Sequence, residues 1–214
     1  MINSLAIAEI LNATYPDAKC ALNFSSPFEC LVAVALSAQT TDASVNKVTP
    51  RLFKDYPTPF EMANAPIGDI EDHIRTLGLY KNKAKSLSGM AKALVERYGG
   101  VVPADKNELV KLPGVGMKTA NCVCAECFNI PAIAVDTHVG RVAVRLGLAK
   151  EGDEPLLIEK KIEKRYPNSM WIKLHHQIID HGRQICHARG PECGRCPLQG
   201  ECRYFKKAST KTGR

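Results

Sequence analysis

Four cysteines, Cys186, Cys193, Cys196 and Cys202, fall within 17 residues, separated by six, two and five residues. Thiolates at that density suit zinc or an iron–sulfur cluster, because both accept four cysteine ligands. Zinc sites more often show two close CxxC pairs, and only one is present. The bacterial ferredoxin run of two, two and three residues does not match either. The spacing therefore calls for a metal without naming it, and four bare thiols fit poorly in so polar a segment. Arg189, Arg195 and Arg203 surround these cysteines, either to meet an anion or simply to stay solvated.

A second constellation lies in Lys111-Leu112-Pro113-Gly114-Val115-Gly116-Met117-Lys118-Thr119-Ala120. Pro113 stops one helix, and two glycines two apart permit positive φ and leave the turn amides bare. Those amides and the following helix N-terminus can hold a phosphate oxygen, while Val115 packs between the helices. Lys118 would occupy the first helical turn, where the macrodipole disfavours an ammonium. Desolvation in a pocket would act the same way and free the amine, which is the nucleophilic form. The residues alone serve equally well for a lysine that merely contacts phosphate.

Asp136 follows the apolar run Ala132-Ile133-Ala134-Val135 and precedes a helix. N-capping is the commonest role for aspartate there. A carboxylate held by helix amides is also a fixed anion able to stabilise developing positive charge. His138 reads as part of the helix start.

These residues need helices to position them, and helical spacing recurs along the chain. One helix runs from about Leu5 to before Pro16, a buried one spans Phe28 to Leu36, and another starts near Ala43. The Ala84, Leu87, Met90 and Leu94 series stops at Gly99-Gly100. Asp105 and Glu108 predict a capping box for a short helix through Leu112. Further helices are predicted over Met117–Phe128, after Asp136, over Ile158–Arg165 and over Ile172–His181. The basic tail from Lys206 is predicted to fray. Within Met117–Phe128, Cys124 and Cys127 join Ala120 and Val123 on an apolar face, so they read as core. His175, His176 and His181 read as packing or surface residues outside the cysteine loop. No alternating strand or repeat is visible, and the class is all-α.

Of 214 residues, 45% are hydrophobic and 6% aromatic, which favours aliphatic helical packing over a β-sandwich. No stretch approaches the roughly 20 apolar residues of a membrane span. No secretory signal opens the chain, so a soluble intracellular protein of the cytoplasm or nucleoid is expected. Nine cysteines in a reducing compartment argue against a disulfide framework. A net charge of +7 is compatible with a polyanionic partner.

The LPGVGxKTA hairpin, the Val135-Asp136-Thr137-His138 motif and the six–two–five cysteine series resemble the helix–hairpin–helix DNA glycosylase superfamily, and the endonuclease III family within it. The resemblance runs from the first helix to Cys202. It implies two helical domains with a DNA cleft between them and a C-terminal [4Fe–4S] loop. Residues 23–133 would form the hairpin domain, and residues 1–22 with 134–214 the other. Lys118 and Asp136 would be catalytic, and Cys186, Cys193, Cys196 and Cys202 would hold the cluster. Gly114, Val115, Gly116, Thr119, Arg189 and Arg195 would contact DNA. Gln39 resembles the family glutamine that fills the space of a flipped nucleotide, and Leu79 the leucine that wedges beside the opposite base. The implied activity is that of a bifunctional glycosylase and AP lyase. It would act as a monomer on double-stranded DNA carrying damaged pyrimidines or abasic sites, with no membrane association. A monofunctional glycosylase of the same superfamily, and a non-catalytic DNA-binding module with a zinc-organised loop, are the alternatives. The lysine at 118 and the chain's end soon after the cysteines favour the lyase.

Overall fold

The computed structural model describes residues 3–212, with side chains through Ala208. All regular structure among them is helical. The chain divides into two compact units, Ala21–Ile130 and Met1–Cys20 with Pro131–Arg214.

The continuous unit holds α2 (Pro27–Leu36), α3 (Asp42–Asp55), α4 (Pro59–Asn64), α5 (Ile67–Ile74), α6 (Tyr80–Tyr98), α7 (Lys106–Leu109) and α8 (Met117–Phe128), following α1 (Ser4–Thr14) in the chain. Helix α2 begins at a Ser26 cap with Pro27 in its first turn, where a missing N–H costs nothing. It is apolar nearly all round and accordingly buried, with Cys30, Leu31, Val32, Ala33 and Leu36 at or near zero exposure. Helix α8 packs on it, and α6 packs on α2, α4 and α5. Leu87, Met90 and Leu94 of α6 supply the inward stripe that their spacing predicts. The predicted α8 matches its observed bounds, and Cys124 is buried in it as expected. Helix α7 is shorter than expected. Asp105 caps the amides of Asn107 and Glu108, but the Glu108 carboxylate accepts from Tyr98 and Lys111 instead of closing the capping box.

In the other unit α1 is joined by α9 (Thr137–Leu146), α10 (Pro155–Glu163), α11 (Trp171–Gln184) and α12 (Arg203–Thr212). Helix α9 is the hub, against which α10, α11 and α12 pack, while α1 packs on α11. Ile7 and Leu11 of α1 share one core with Val139, Val142, Leu146, Ile162 and Ile178. The tail expected to fray is helical through Thr212, and Gly213 and Arg214 lie outside the described residues. Helices α4 and α5 were not among the expected elements, although Ile67, Ile70 and Ile74 of α5 recur at helical spacing. Each is one or two turns long and rests on α6 or α3.

Candidate active site and cysteine loop

Between α7 and α8 the chain makes a tight hairpin. Gly114 has φ +77°, and a Cβ there would lie 2.6 Å from that of Ser86, so both conformation and space require glycine. Gly116 differs from expectation. Its φ is −92° and its Cβ direction is open, so its contribution is to cap α8 without covering the helix amides. The first amides of α8 have no intrahelical acceptor. Val115 is buried, and its own amide donates to the Leu112 carbonyl at 3.1 Å. With its side chain packed and its amide engaged inside the turn, Val115 shapes the hairpin. Lys118 stands exposed on the first turn of α8, with Thr119 half-buried beside it.

The same unit contains a pocket of about 170 Å³ lined by Ala38, Gln39, Leu79, Lys83, Ser86 and Gly114 among others. Gln39 and Leu79, which the sequence places 40 residues apart, meet at this pocket. Both adopt left-handed backbone conformations, at φ 54° and 59°. Leu79 is 60% exposed, so it is not a core leucine. Positive φ in a non-glycine residue is strained, and such strain gathers at functional positions.

In the other unit Asp136 caps α9, its Oδ1 accepting from the Val139 amide at 2.8 Å. No hydrogen bond to its Oδ2 is made among the described residues. His138 Nδ1 accepts from Arg141 at 3.1 Å, and burial first, then the nearby guanidinium groups, hold its pKa low, although Asp136 opposes them. A neutral histidine that packs against Gly182 is part of the helix seat, as its sequence position suggests.

The four cysteines of the C-terminal loop converge on one cavity, shared with Arg145, His181, Tyr204 and Phe205. Burial raises the thiol pKa of Cys196 and Cys202, and the neighbouring cysteines raise both further. Four thiolates here would repel one another in a poorly solvated space, so the donor set fits a polycationic centre. His181 was expected outside this loop but lines its cavity. Its ring is buried, its Nδ1 lies 3.1 Å from the Tyr15 hydroxyl, and its Nε2 lies 3.7 Å from Cys196 Sγ. Burial lowers its pKa to about 4. Sequence reasoning also missed Arg141 and Arg145, one turn apart on α9. Arg141 donates to the carbonyls of Gly182 and Cys186. Arg145 donates to those of His187 and Ala188 and to Cys186 Sγ at 3.3 Å, and it lies over the Tyr204 ring. Arg195 is paired with Glu192 and with the Gln184 carbonyl, which ties it to the loop. Arg189 is exposed.

A profile of the HhH-GPD superfamily base excision DNA repair proteins matches residues 32–168. Endonuclease III of Bacillus subtilis (strain 168) is 48% identical over 92% of this chain and 90% of its own length. That of Escherichia coli (strain K12) is 43% identical over 95% and 96%. The chain belongs to the endonuclease III family of HhH-GPD base excision DNA repair proteins. A solved structure of a trapped endonuclease III–DNA covalent intermediate superposes with a TM-score of 0.93 at 46% identity, covering 98% of this chain and all of that one. A thermostable thymine-DNA glycosylase superposes at 0.86 with 23% identity, which shows the shared fold.

As a member of that family, the chain is a base excision repair DNA glycosylase and AP lyase. Its hairpin, Lys118, Gln39 and Leu79 belong to the unit Ala21–Ile130, and Asp136 and the four cysteines to the other. No helix among the described residues is long and apolar enough to cross a membrane.

Proposed function

We propose that this chain excises oxidised pyrimidines from double-stranded DNA and nicks the resulting abasic site through a Schiff base on Lys118. The observation that carries the reading is an exposed lysine on the first turn of α8, directly after a hairpin whose Gly114 admits no side chain. The hairpin and helix amides grip a phosphate and register the strand. The damaged nucleotide leaves the stack, because C1′ is shielded within the duplex. The neutral Lys118 amine attacks C1′, the glycosidic bond breaks, and the base departs with a proton. Ring opening gives an imine between Nζ and C1′. Loss of the C2′ proton then expels the 3′ phosphate, and water frees the lysine. Asp136 contributes its anion as the base leaves, when positive charge develops on the sugar. Gln39 and Leu79 occupy the opened duplex.

Cys186, Cys193, Cys196 and Cys202 would hold a [4Fe–4S] cluster. Bound there, the cluster would order the loop so that its arginines can face the phosphate backbone, and it would take no part in the substrate chemistry. Arg189 would reach the phosphate backbone, whereas the Glu192 pairing leaves Arg195 mainly to stiffen the loop. The protein would act as a monomer in the cytoplasm or nucleoid.

The test is a panel of end-labelled duplexes carrying thymine glycol, dihydrouracil, 8-oxoguanine or an abasic site. The proposal expects base release and strand nicking on the first two, nicking on the abasic duplex, and little action on the purine lesion. Base release without nicking would instead mean a monofunctional glycosylase, and neither activity a binding module.

A further inference from the structure

Lys83 is the one buried lysine among the described residues, and no motif in the sequence singles it out. It lies in the first turns of α6, where the helix dipole disfavours a cation, and burial lowers its pKa. A lysine so placed needs a compensating contact. Its Nζ donates to Thr40 Oγ1, and that hydroxyl donates in turn to the Ala38 carbonyl at 3.3 Å. This hydrogen-bonded chain straddles Gln39, the residue at φ 54°. The Lys83 backbone amide donates to the Leu79 carbonyl at 3.0 Å, closing the first turn that begins at the other left-handed residue. One residue is therefore bonded to both sides of the pocket, through its side chain to the Gln39 turn and through its backbone to Leu79.

We propose that Lys83 is a positioning residue that fixes the Gln39 turn relative to Leu79, so that plug and wedge enter a duplex as one preformed unit. The proposal rests on the assignment of Gln39 and Leu79 as the duplex-opening pair. Preorganisation of this kind removes the need to order a strained turn during opening. Thr40 is its acceptor, so loss of either partner should have the same consequence. Arginine, which keeps a donor, should serve in part.

The experiment follows duplex opening without chemistry. Full-length, iron-loaded protein is mixed by stopped flow with a duplex carrying 2-aminopurine opposite a tetrahydrofuran site, and the rise in emission reports unstacking of the orphan base. Lys83→Met and Thr40→Val should each slow that rise about tenfold while changing equilibrium binding less than threefold. The double variant should be no slower than either single one, because both remove the same link. Lys83→Arg should recover at least a third of the lost rate. Should Lys83→Met fold poorly, Thr40→Val carries the same prediction. Wild-type opening rates in both single variants, or additive losses in the double variant, would overturn the proposal. A protein that opens the duplex through Lys83 yet releases no damaged base would refute the glycosylase reading and leave this coupling standing. Normal base release with unaltered opening in the variants would do the reverse.

Discussion

Asp136 uses one carboxylate oxygen to hold the start of α9, and in the proposed mechanism the second would serve the reaction. The two roles separate by substitution. Asparagine caps a helix about as well as aspartate but carries no charge. Asp136→Asn should therefore keep the melting temperature within about 2 °C while base release falls by about 100-fold or more. Asp136→Ala loses the cap as well, about 1 kcal/mol, and should melt a further 2–4 °C lower. Single-turnover base release and thermal melting on the same preparations check both. An Asp136→Asn protein with wild-type rates would reduce the residue to a cap. At this scale the helix-start placements of Lys118 and Asp136 were readable from sequence, one after glycine and one after an apolar run, while the catalytic roles proposed for them came from resemblance. Lys83 and His181 were not readable. A lysine near a helix start reads as surface, and a histidine on a helix carries no sign of which distant loop will close over it.

Among the elements, the hairpin makes the sharpest contrast between neighbouring residues of one type. Alanine at 114 would be strained at φ +77° and would press on Ser86. Gly114→Ala should cost roughly 1–3 kcal/mol and weaken DNA binding at least tenfold. Gly116 is extended and faces open space, so Gly116→Ala should cost no more than about 1 kcal/mol and bind DNA nearly normally. Equal losses at the two positions, measured by melting and fluorescence anisotropy, would contradict this division. The legibility of elements followed the same logic. Helix α8 was readable end to end because Gly116 opens it, an apolar stripe fills it and Asn129 in a left-handed conformation closes it. Helix α7 ended early because the chain tightens into three-residue turns ahead of Pro113, the Lys111 amide donating to the Glu108 carbonyl and that of Leu112 to Leu109. The left-handed turns at Gln39 and Leu79 left no propensity signal, and only resemblance pointed to them.

For the molecule as a whole, a net charge of +7 should make DNA binding strongly salt-dependent. Arg189→Ala should lower the slope of log affinity against log salt by about 0.9, the loss of one phosphate contact. Arg195→Ala should lower it less, because Glu192 already offsets that charge. Equal slopes for Arg189→Ala and wild type would remove Arg189 from the interface. Cys193→Ser should reduce bound iron and the cluster's visible absorbance, and should destabilise the unit that contains α9, α11 and α12. A Schiff base on Lys118 should be trapped by borohydride reduction during turnover on an abasic duplex. Mass spectrometry of the digested complex should find deoxyribose on the Lys118 peptide, and Lys118→Ala should form no adduct while still binding the duplex. An adduct mapped to another lysine, or one that persists in Lys118→Ala at the wild-type rate, would contradict the account.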